Sequence, residues 1–379
     1  MERNDLMQVY LDSAATTKPY QEVVDVMVDV MQNHWHNPSS SYADEERRII
    51  EDVRTQIAED INADPSEIIF TSGACEANTL AYSVPRNLIP ISTRLEHKSL
   101  ELLNKDCEVK FVDNDRYGFI NLDHLECELN NIFFNNGRFT NFVSIQAANS
   151  EIGTIQHLKA ISAITHEYEG IFHTDATQLF PEQRIDVKKL GIDLMSMSAQ
   201  KFHGPRGAGI LYVKNGIELY PLIYGSQEKG IRGGTYNTAA IAGMGKALEL
   251  TRLHNASEGV ECLRDRLLKR LLQVDRVVLN GPPIGSQRLK NNISLIIDDV
   301  NAEKLVTLCA LHGIYISKGS ACNSHNPEPS STLKAIYLTN EQAFNTIRIT
   351  LDEFNTEEEI DYAANIIIKL IERIRSEHG

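Results

Sequence analysis

Residues 171–213 read IFHTDATQLFPEQRIDVKKLGIDLMSMSAQKFHGPRGAGILYV and contain apolar runs of strand length. Runs of this kind, bounded by Gly, Pro or Asp, predict buried strands. The predicted strands are Ile171–Thr174, Asp193–Met197 and Gly209–Val213 and, upstream, Glu67–Thr71, Leu88–Thr93, Cys107–Val112 and Phe142–Gln146. Helical patterns such as Glu76–Ser83 and Ala160–Glu169 lie between them. This alternation predicts an α/β fold in which helices cover both faces of a largely parallel sheet.

The pattern changes near residues 250–260. A charged helical pattern runs from about Thr251 to Leu272, and shorter strand patterns follow at Asn292–Ile297, Ile314–Ser317 and Thr346–Leu351. Thr356 and Glu359 have the spacing of a capping box and predict the start of a C-terminal helix. We therefore expect a large domain over residues 12–255 and a small α+β domain formed by residues 1–11 and 256–379.

Composition narrows the classes of function. The chain has 379 residues, with 37 basic and 52 acidic side chains and a net charge of −15. This negative field disfavours direct binding to nucleic acid or to anionic lipid. The N-terminus lacks the pattern of a signal peptide, and no apolar run reaches the ~18 residues of a membrane span. We expect a cytoplasmic protein with no nucleic-acid or membrane partner.

The six cysteines form no C-x-x-C pair and match no zinc signature, so we expect no metal site. In a cytosolic chain most of them are expected to be small buried residues. Cys322 differs because it lies in the polar stretch Gly319–Ser331, which is rich in Gly, Pro and small residues and is typical of a mobile loop. Its thiolate could act as a nucleophile, although an incidental surface cysteine is the alternative.

Three segments suggest a cofactor site. Lys201 follows a strand and small residues, which suits a lysine that must reach an aldehyde and lose its proton near neutral pH. Asp175 ends a neighbouring strand, at the edge where parallel sheets bind ligands, and could pair with a pyridinium nitrogen or cap the next segment. Thr71–Asn78 is a glycine turn before a helix start, which suits a phosphate group but is also a routine turn. The Walker pattern of NTP-binding proteins is absent.

In this order the three segments resemble the NifS/IscS family of cysteine desulfurases, within the class V aminotransferase fold. Similar segments cover nearly the whole chain, at Val9–Thr17, Asn37–Ser40, Glu96–Lys98, Ala148–Gly153, Gln227–Thr235, Gly319–Cys322 and Ile347–Thr350. The resemblance implies a pyridoxal-phosphate (PLP) dependent transferase of fold type I, like aspartate aminotransferase. Such a protein has a large domain with a mainly parallel seven-stranded sheet and a small α+β domain.

The resemblance also implies the reaction. Sulfur is removed from L-cysteine to give L-alanine and a persulfide on Cys322. A sulfur-acceptor protein, an iron–sulfur scaffold or a tRNA thiolation enzyme, then receives the sulfur for iron–sulfur cluster assembly or thio-modification. The implied assembly is a homodimer in which Thr235 reaches the cofactor of the partner subunit.

Residue roles come from the same resemblance. The implied catalytic residues are Cys322, Lys201 as the Schiff-base lysine, and His97, which stacks on the cofactor ring. The other implied cofactor-binding residues are Asp175, Gln178, Ala74, Cys75, Ser198, Gln200 and Thr235. The implied substrate-carboxylate ligands are Asn149 and Arg348. The family often has Thr in place of Cys75 and His in place of Gln200, so we expect weaker cofactor retention here or compensation by other groups.

Other functions fit less well. Ser198 and Lys201 match the Ser-x-x-Lys of penicillin-binding proteins, but Lys-Thr-Gly is absent and the lysine follows a strand, which excludes that class. An aminotransferase would have no need for Cys322. A selenocysteine lyase, or a PLP-binding partner protein with little activity of its own, stays open as an alternative.

Overall fold

A computed structural model describes residues 7–84, 88–106, 108–135, 140–254, 259–319 and 328–377. In these ranges the strands are β1 (Val9–Tyr10), β2 (Ile68–Thr71), β3 (Leu88–Ser92), β4 (Lys110–Phe111), β5 (Thr140–Ser144), β6 (Ile171–Asp175), β7 (Leu194–Ser198), β8 (Gly209–Val213), β9 (Val277–Leu279), β10 (Asn292–Ile297), β11 (Ile314–Tyr315), β12 (Ser317–Lys318) and β13 (Thr346–Thr350).

The helices of the same ranges are α1 (Gln21–Asn33), α2 (Asp44–Ile61), α3 (Ala74–Ala81), α4 (Lys98–Asp106), α5 (Leu122–Asn135), α6 (Leu158–Glu167), α7 (Val187–Leu190), α8 (Thr238–His254), α9 (Gly259–Leu271), α10 (Ala302–Leu311), α11 (Ser331–Ala335), α12 (Asn340–Phe344) and α13 (Glu357–Ser376). None of these helices has the length and apolar character needed to cross a bilayer.

The central sheet has seven strands in the order β2-β8-β7-β6-β5-β3-β4. The neighbours from β7 through β6, β5 and β3 to β4 are parallel, whereas β8 runs antiparallel to both β7 and β2. The predicted mainly parallel sheet is therefore confirmed. Strand β8 is reversed because only a short loop joins it to β7, and a parallel return needs a crossover of about a dozen residues or more. That loop carries Lys201.

The C-terminal part holds an antiparallel sheet in the order β12-β13-β10-β9, and β1 pairs with β11 in parallel. The prediction of one strand over Ile314–Ser317 is wrong, because Ile314–Tyr315 pairs with the N-terminal β1 and Ser317–Lys318 pairs with β13. The capping box is confirmed: Thr356 and Glu359 bond reciprocally at the start of α13.

The helix predicted from Thr251 begins much earlier, at Thr238. Its first turns are small residues that are buried all round, with Gly243 against Met27 and Gly245 against Val53. A helix segment without an exposed face shows no polar–apolar period. The sequence pattern therefore did not predict the first turns of α8. Residues 255–258, which the predicted helix would cross, lie outside the described part.

Buried side chains form two main clusters. One packs on the central sheet and includes Phe172, Met195 and Ile210. The other combines Val9 and Leu11 with side chains of α9, β10, β13 and α13. The N-terminal strand therefore packs with the C-terminal part of the chain. The exact domain boundaries stay a prediction.

Candidate active site

Lys201 stands in a 3-10 turn that directly follows β7. Its Nζ donates hydrogen bonds to Ala14 O at 2.5 Å and to Ala15 O at 2.7 Å. Gln178 Nε2 donates to the same Ala14 O at 3.1 Å, so the two side chains meet at one carbonyl. Burial, and then the charge of Arg348, lowers the pKa of Lys201 from 10.5 to about 8. A neutral amine, which is the nucleophilic form, is therefore accessible near physiological pH.

Asp175 is buried at the end of β6, and its register partner on β7 is Ser196. Its Oδ2 accepts a hydrogen bond from Asn78 Nδ2 at 2.8 Å, and its Oδ1 accepts from the backbone N of Thr177 at 3.0 Å. The carboxylate thus caps the turn that follows β6 and is also held by a side chain from α3. The capping contact is present, and the pairing with a pyridinium nitrogen stays a prediction, for which the carboxylate keeps capacity because it has about four acceptor positions.

A hydrogen-bonded chain joins Asp175 to His97. Asn78 Nδ2 also donates to Ser99 Oγ at 3.0 Å, and His97 Nδ1 lies 2.9 Å from the same Ser99 Oγ. The His97 ring is still exposed, but the surrounding protein displaces enough water to lower its pKa, and the charge of Asp175 opposes that shift. His97 is therefore mostly neutral at pH 7 and can exchange a proton. Sequence patterns gave no signal for Asn78 or Ser99, because both act through other side chains.

The start of α3 is a glycine turn next to β7 and β8. Gly73, with φ +152°, precedes the helix, and a Cβ on it would lie 3.7 Å from Ser198 Oγ. A Cβ on Gly209 would lie 2.4 Å from Gly73 Cα, so glycine is required there for close approach. The N–H groups of the first turn, which begins with Ala74 and Cys75, have no side-chain cap. Free N–H groups at a helix start bind phosphate.

The other predicted phosphate ligands lie as follows. Cys75 is exposed and lies close enough to Lys201 to influence its pKa. The backbone O of Gln200 accepts hydrogen bonds from Thr17 N and Oγ1, at 2.9 and 3.1 Å. Thr235 is exposed, at the end of a loop whose Arg232 pairs with Glu76 of α3. Cys322 lies outside the described residues.

Arg348 projects from β13 and is only 4% exposed. Its Nη2 donates to Asp12 Oδ1 at 2.6 Å, whereas its Nε is buried and has no partner. Asn149 is also buried, and most of its amide is used locally: Oδ1 accepts from Glu151 N and Ile152 N, and Nδ2 donates to Leu95 O at 3.0 Å. Of the two predicted carboxylate ligands, Arg348 therefore has the more obvious free donor.

Comparison with known proteins agrees with this geometry. The family model described as "Aminotransferase class-V" matches residues 9–363. The chain belongs to the class V aminotransferase family. Pyridoxal phosphate is the cofactor of this family and of this chain.

Individual relatives of this class V aminotransferase align with nearly the whole chain. A cysteine desulfurase IscS of Dictyoglomus turgidum is 38% identical over 97% of the chain and 96% of the relative. A solved NifS-like protein from Rickettsia africae is 30% identical and superimposes with a TM-score of 0.86, covering 98% of this chain and all (100%) of that one. A structure of SspA in complex with cysteine is 30% identical with a TM-score of 0.79, over 92% of this chain and 100% of that one.

Proposed function

We propose that this chain is a PLP-dependent cysteine desulfurase, which converts L-cysteine to L-alanine and places the sulfur on Cys322. The observation that carries the proposal is the position of Lys201, directly after β7, and of Asp175, at the end of the neighbouring strand β6, with the pKa of Lys201 lowered to about 8. The charges of Asp175 and Arg348 both act on the pKa of Lys201. Support also comes from the curated cysteine desulfurases that match 97% of the chain and from the related structure that contains cysteine.

The described residues fit PLP. Lys201 would bond the aldehyde carbon, and the Asp175 carboxylate would hold a proton on the ring nitrogen. The uncapped N–H groups of α3 and Ser198 suit the phosphate, and His97 suits the ring face. When bound, PLP supplies an electron sink that weakens bonds at the substrate carbons.

Binding of the substrate depends on Arg348. Because Asp12 holds Nη2, the guanidinium has a fixed orientation, and its positive charge would attract the carboxylate of cysteine. A charge-assisted hydrogen bond from the guanidinium would add to that attraction. Asn149 would add little, because its Nδ2 already donates to Leu95 O at 3.0 Å and to Thr332 Oγ1 at 3.5 Å.

Sulfur transfer needs no external oxidant. The Cys322 thiolate attacks the substrate sulfur and forms the S–S bond while the substrate Cβ–S bond breaks. The electron pair of that bond stays with the carbon skeleton, and a proton delivered to Cβ completes alanine. The carbon is reduced and the transferred sulfur oxidised by the same two electrons. His97, whose pKa is lowered by burial, would move protons in this step.

The proposal extends to assembly and partners. Thr235 is exposed and would complete the phosphate site of a second copy in a homodimer. The persulfide would pass to an acceptor protein for iron–sulfur cluster assembly or thio-modification, in the cytoplasm.

The test is product formation by the purified holoenzyme. Wild type should form L-alanine from L-cysteine and, in the presence of a thiol reductant, an equal amount of sulfide, whereas Lys201→Ala should form neither while remaining folded. L-Selenocysteine is supplied in parallel. A much higher kcat/KM for selenocysteine would replace the proposal with a selenocysteine lyase, and no product from either amino acid would reject it.

A further inference from the structure

The amide of Asn78 has one orientation that fits its neighbours. Its Nδ2 donates one hydrogen to Asp175 Oδ2 at 2.8 Å and the other to Ser99 Oγ at 3.0 Å. The Asn78 side chain is fully buried, and its Oδ1 has no hydrogen-bond partner in the part of the chain that the structure describes. A carboxylate accepts hydrogen bonds and repels another oxygen, so Asp175 keeps the nitrogen of the amide on its side.

The direction of these hydrogen bonds continues through Ser99 to His97. Ser99 Oγ accepts from Asn78, so its own hydrogen remains for His97 Nδ1, which lies 2.9 Å away. The backbone N of Ser99 lies 3.2 Å from the same Nδ1 and can only donate. Nδ1 therefore accepts from two donors and carries no hydrogen of its own, and the neutral ring has its hydrogen on Nε2.

The backbone of His97 is anchored at the start of α4. The backbone N of Leu100 donates to His97 O at 2.9 Å, so His97 belongs to the first helical turn. The preceding residue, Glu96, is only 4% exposed, and both of its carboxyl oxygens accept from Gln146 N at 3.1 Å, just after β5. His97 is therefore fixed on both sides, and its ring stays within reach of Ser99.

The groups around His97 favour its neutral form. Burial lowers the pKa of His97, the carboxylate of Asp175 opposes this shift, and the positive charges of Lys201 and Lys98 add to it. The ring is therefore mostly uncharged at neutral pH, and the two hydrogen bonds to Nδ1 decide which neutral tautomer is present. Each of these bonds also opposes protonation of Nδ1, which is the step that would form the imidazolium.

We propose that Ser99 is a positioning residue for His97, with Asn78 orienting its hydroxyl group, and that together they keep the neutral His97 ring in the tautomer with hydrogen on Nε2. The catalytic consequence rests on the proposed desulfurase function. His97 offers Nε2–H to the reacting groups, and it can release that proton only after Nδ1 has gained one. Ser99 therefore sets the pH range in which His97 can transfer a proton.

The experiment compares the full-length wild type with Ser99→Ala, Ser99→Thr, Asn78→Ala and Ser83→Ala. Ser99→Thr keeps a hydroxyl group at the same place. Ser83→Ala is the matched control, because Ser83 is also half-buried and its hydroxyl donates to a backbone oxygen, Leu80 O at 2.7 Å. Histidine is labelled with ¹⁵N, and His97→Gln assigns the signal of His97. NMR then reads the protonation of each ring nitrogen across neutral pH, with and without PLP.

In wild type, the neutral His97 ring should show hydrogen on Nε2 and none on Nδ1. In Ser99→Ala the pKa of His97 should rise by about half a unit or more, because a hydrogen bond to the unprotonated nitrogen is lost. Asn78→Ala should raise the pKa by less, because Ser99 keeps its hydroxyl group but can turn it. Ser99→Thr and Ser83→Ala should match wild type. In the holoenzyme, the pH profile of kcat should shift to higher pH by the same amount in Ser99→Ala, with KM for cysteine unchanged.

Hydrogen on Nδ1 of the neutral His97 ring in wild type would overturn the proposal. So would an unchanged pKa in Ser99→Ala, a shift that Ser99→Thr does not restore, or an equal shift in Ser83→Ala. If Asn78→Ala does not fold, the two Ser99 variants alone decide. A pKa shift without a shift in the kcat profile would reject the catalytic consequence. If wild type forms no alanine, the proposed function fails by itself, and the NMR result still accepts or rejects the role of Ser99.

Discussion

Replacing Lys201 with methionine should stabilise the PLP-free protein at neutral pH. Methionine is close in length and removes the charge without opening a large cavity. Burial lowers the pKa of Lys201 from 10.5 to about 8, which means that the folded state disfavours the ammonium form. At about 1.4 kcal/mol per pKa unit, this costs the folded protein about 3 kcal/mol at about pH 7.

Hydrogen bonds that are lost in Lys201→Met offset part of the stability gained by removing the charge. Ala14 O keeps a donor, Gln178 Nε2 at 3.1 Å, but Ala15 O loses the Lys201 Nζ that lies 2.7 Å away. One carbonyl left without its partner costs about 1 kcal/mol. The free energy of unfolding of Lys201→Met should therefore exceed that of wild type by about 2 kcal/mol at about pH 7.

The pH dependence has a definite sign. Between about pH 8 and 10.5 the unfolded chain binds more protons than the folded one, so wild-type stability rises with pH in this window. At about pH 9.5 the cost has fallen to about 1 kcal/mol, so the difference in unfolding free energy between the two proteins should shrink by about 2 kcal/mol from its value at about pH 7.

The assay is urea unfolding of the PLP-free proteins, followed by circular dichroism at one protein concentration and at both pH values. Lys188→Met, at an exposed lysine of α7, is the control and should change stability by less than about 0.5 kcal/mol. A Lys201→Met protein that is less stable than wild type, or a stability difference that does not change with pH, would refute the argument.

Three other substitutions should have the following effects. Asp175→Asn should retain PLP but lower kcat for cysteine by about 10²-fold or more, because a neutral amide cannot hold the ring-nitrogen proton. Cys75→Thr should slow PLP loss during dialysis, since a hydroxyl donates a stronger hydrogen bond than a thiol. Glu228→Gln should lower the free energy of unfolding by about 3–5 kcal/mol, because it removes the buried counter-ion of the buried Arg54, which pairs with Glu228 at 3.0 Å. The control Glu51→Gln removes the exposed acid that pairs with the same arginine at 3.1 Å, and it should cost less than about 1 kcal/mol.

The apolar strand pattern predicted the strands correctly where both faces of the sheet are buried. Ile171–Thr174 and Gly209–Val213 are apolar because the sheet is covered on both faces, and both form strands almost as predicted. The same logic failed for the start of α8, where small residues are buried on every side and leave no period to detect. It failed again at Ile314–Ser317, because the choice between two sheets depends on partners far away in the chain.

The residues of the site also differ in how far the sequence predicted them. Lys201 and Asp175 were predictable because each ends a strand at the edge where a parallel sheet binds ligands. Asn78 and Asp12 were not, because their importance comes from contacts with groups that the fold brings in from elsewhere, such as Asp12 with Arg348 over 336 positions of sequence. No local pattern encodes a partner at that separation.

The place of the sulfur after one turnover decides whether Cys322 is the acceptor. PLP-loaded protein would be mixed with less than one equivalent of L-cysteine without reductant, alkylated, digested and analysed by mass spectrometry. The peptide containing Cys322 should carry one additional sulfur atom in an amount equal to the alanine formed. Cys322→Ser should still show the PLP absorption change on adding cysteine, yet form no alanine and carry no persulfide. Alanine produced at the wild-type rate by Cys322→Ser, or sulfur found on another cysteine such as Cys75, would contradict the mechanism.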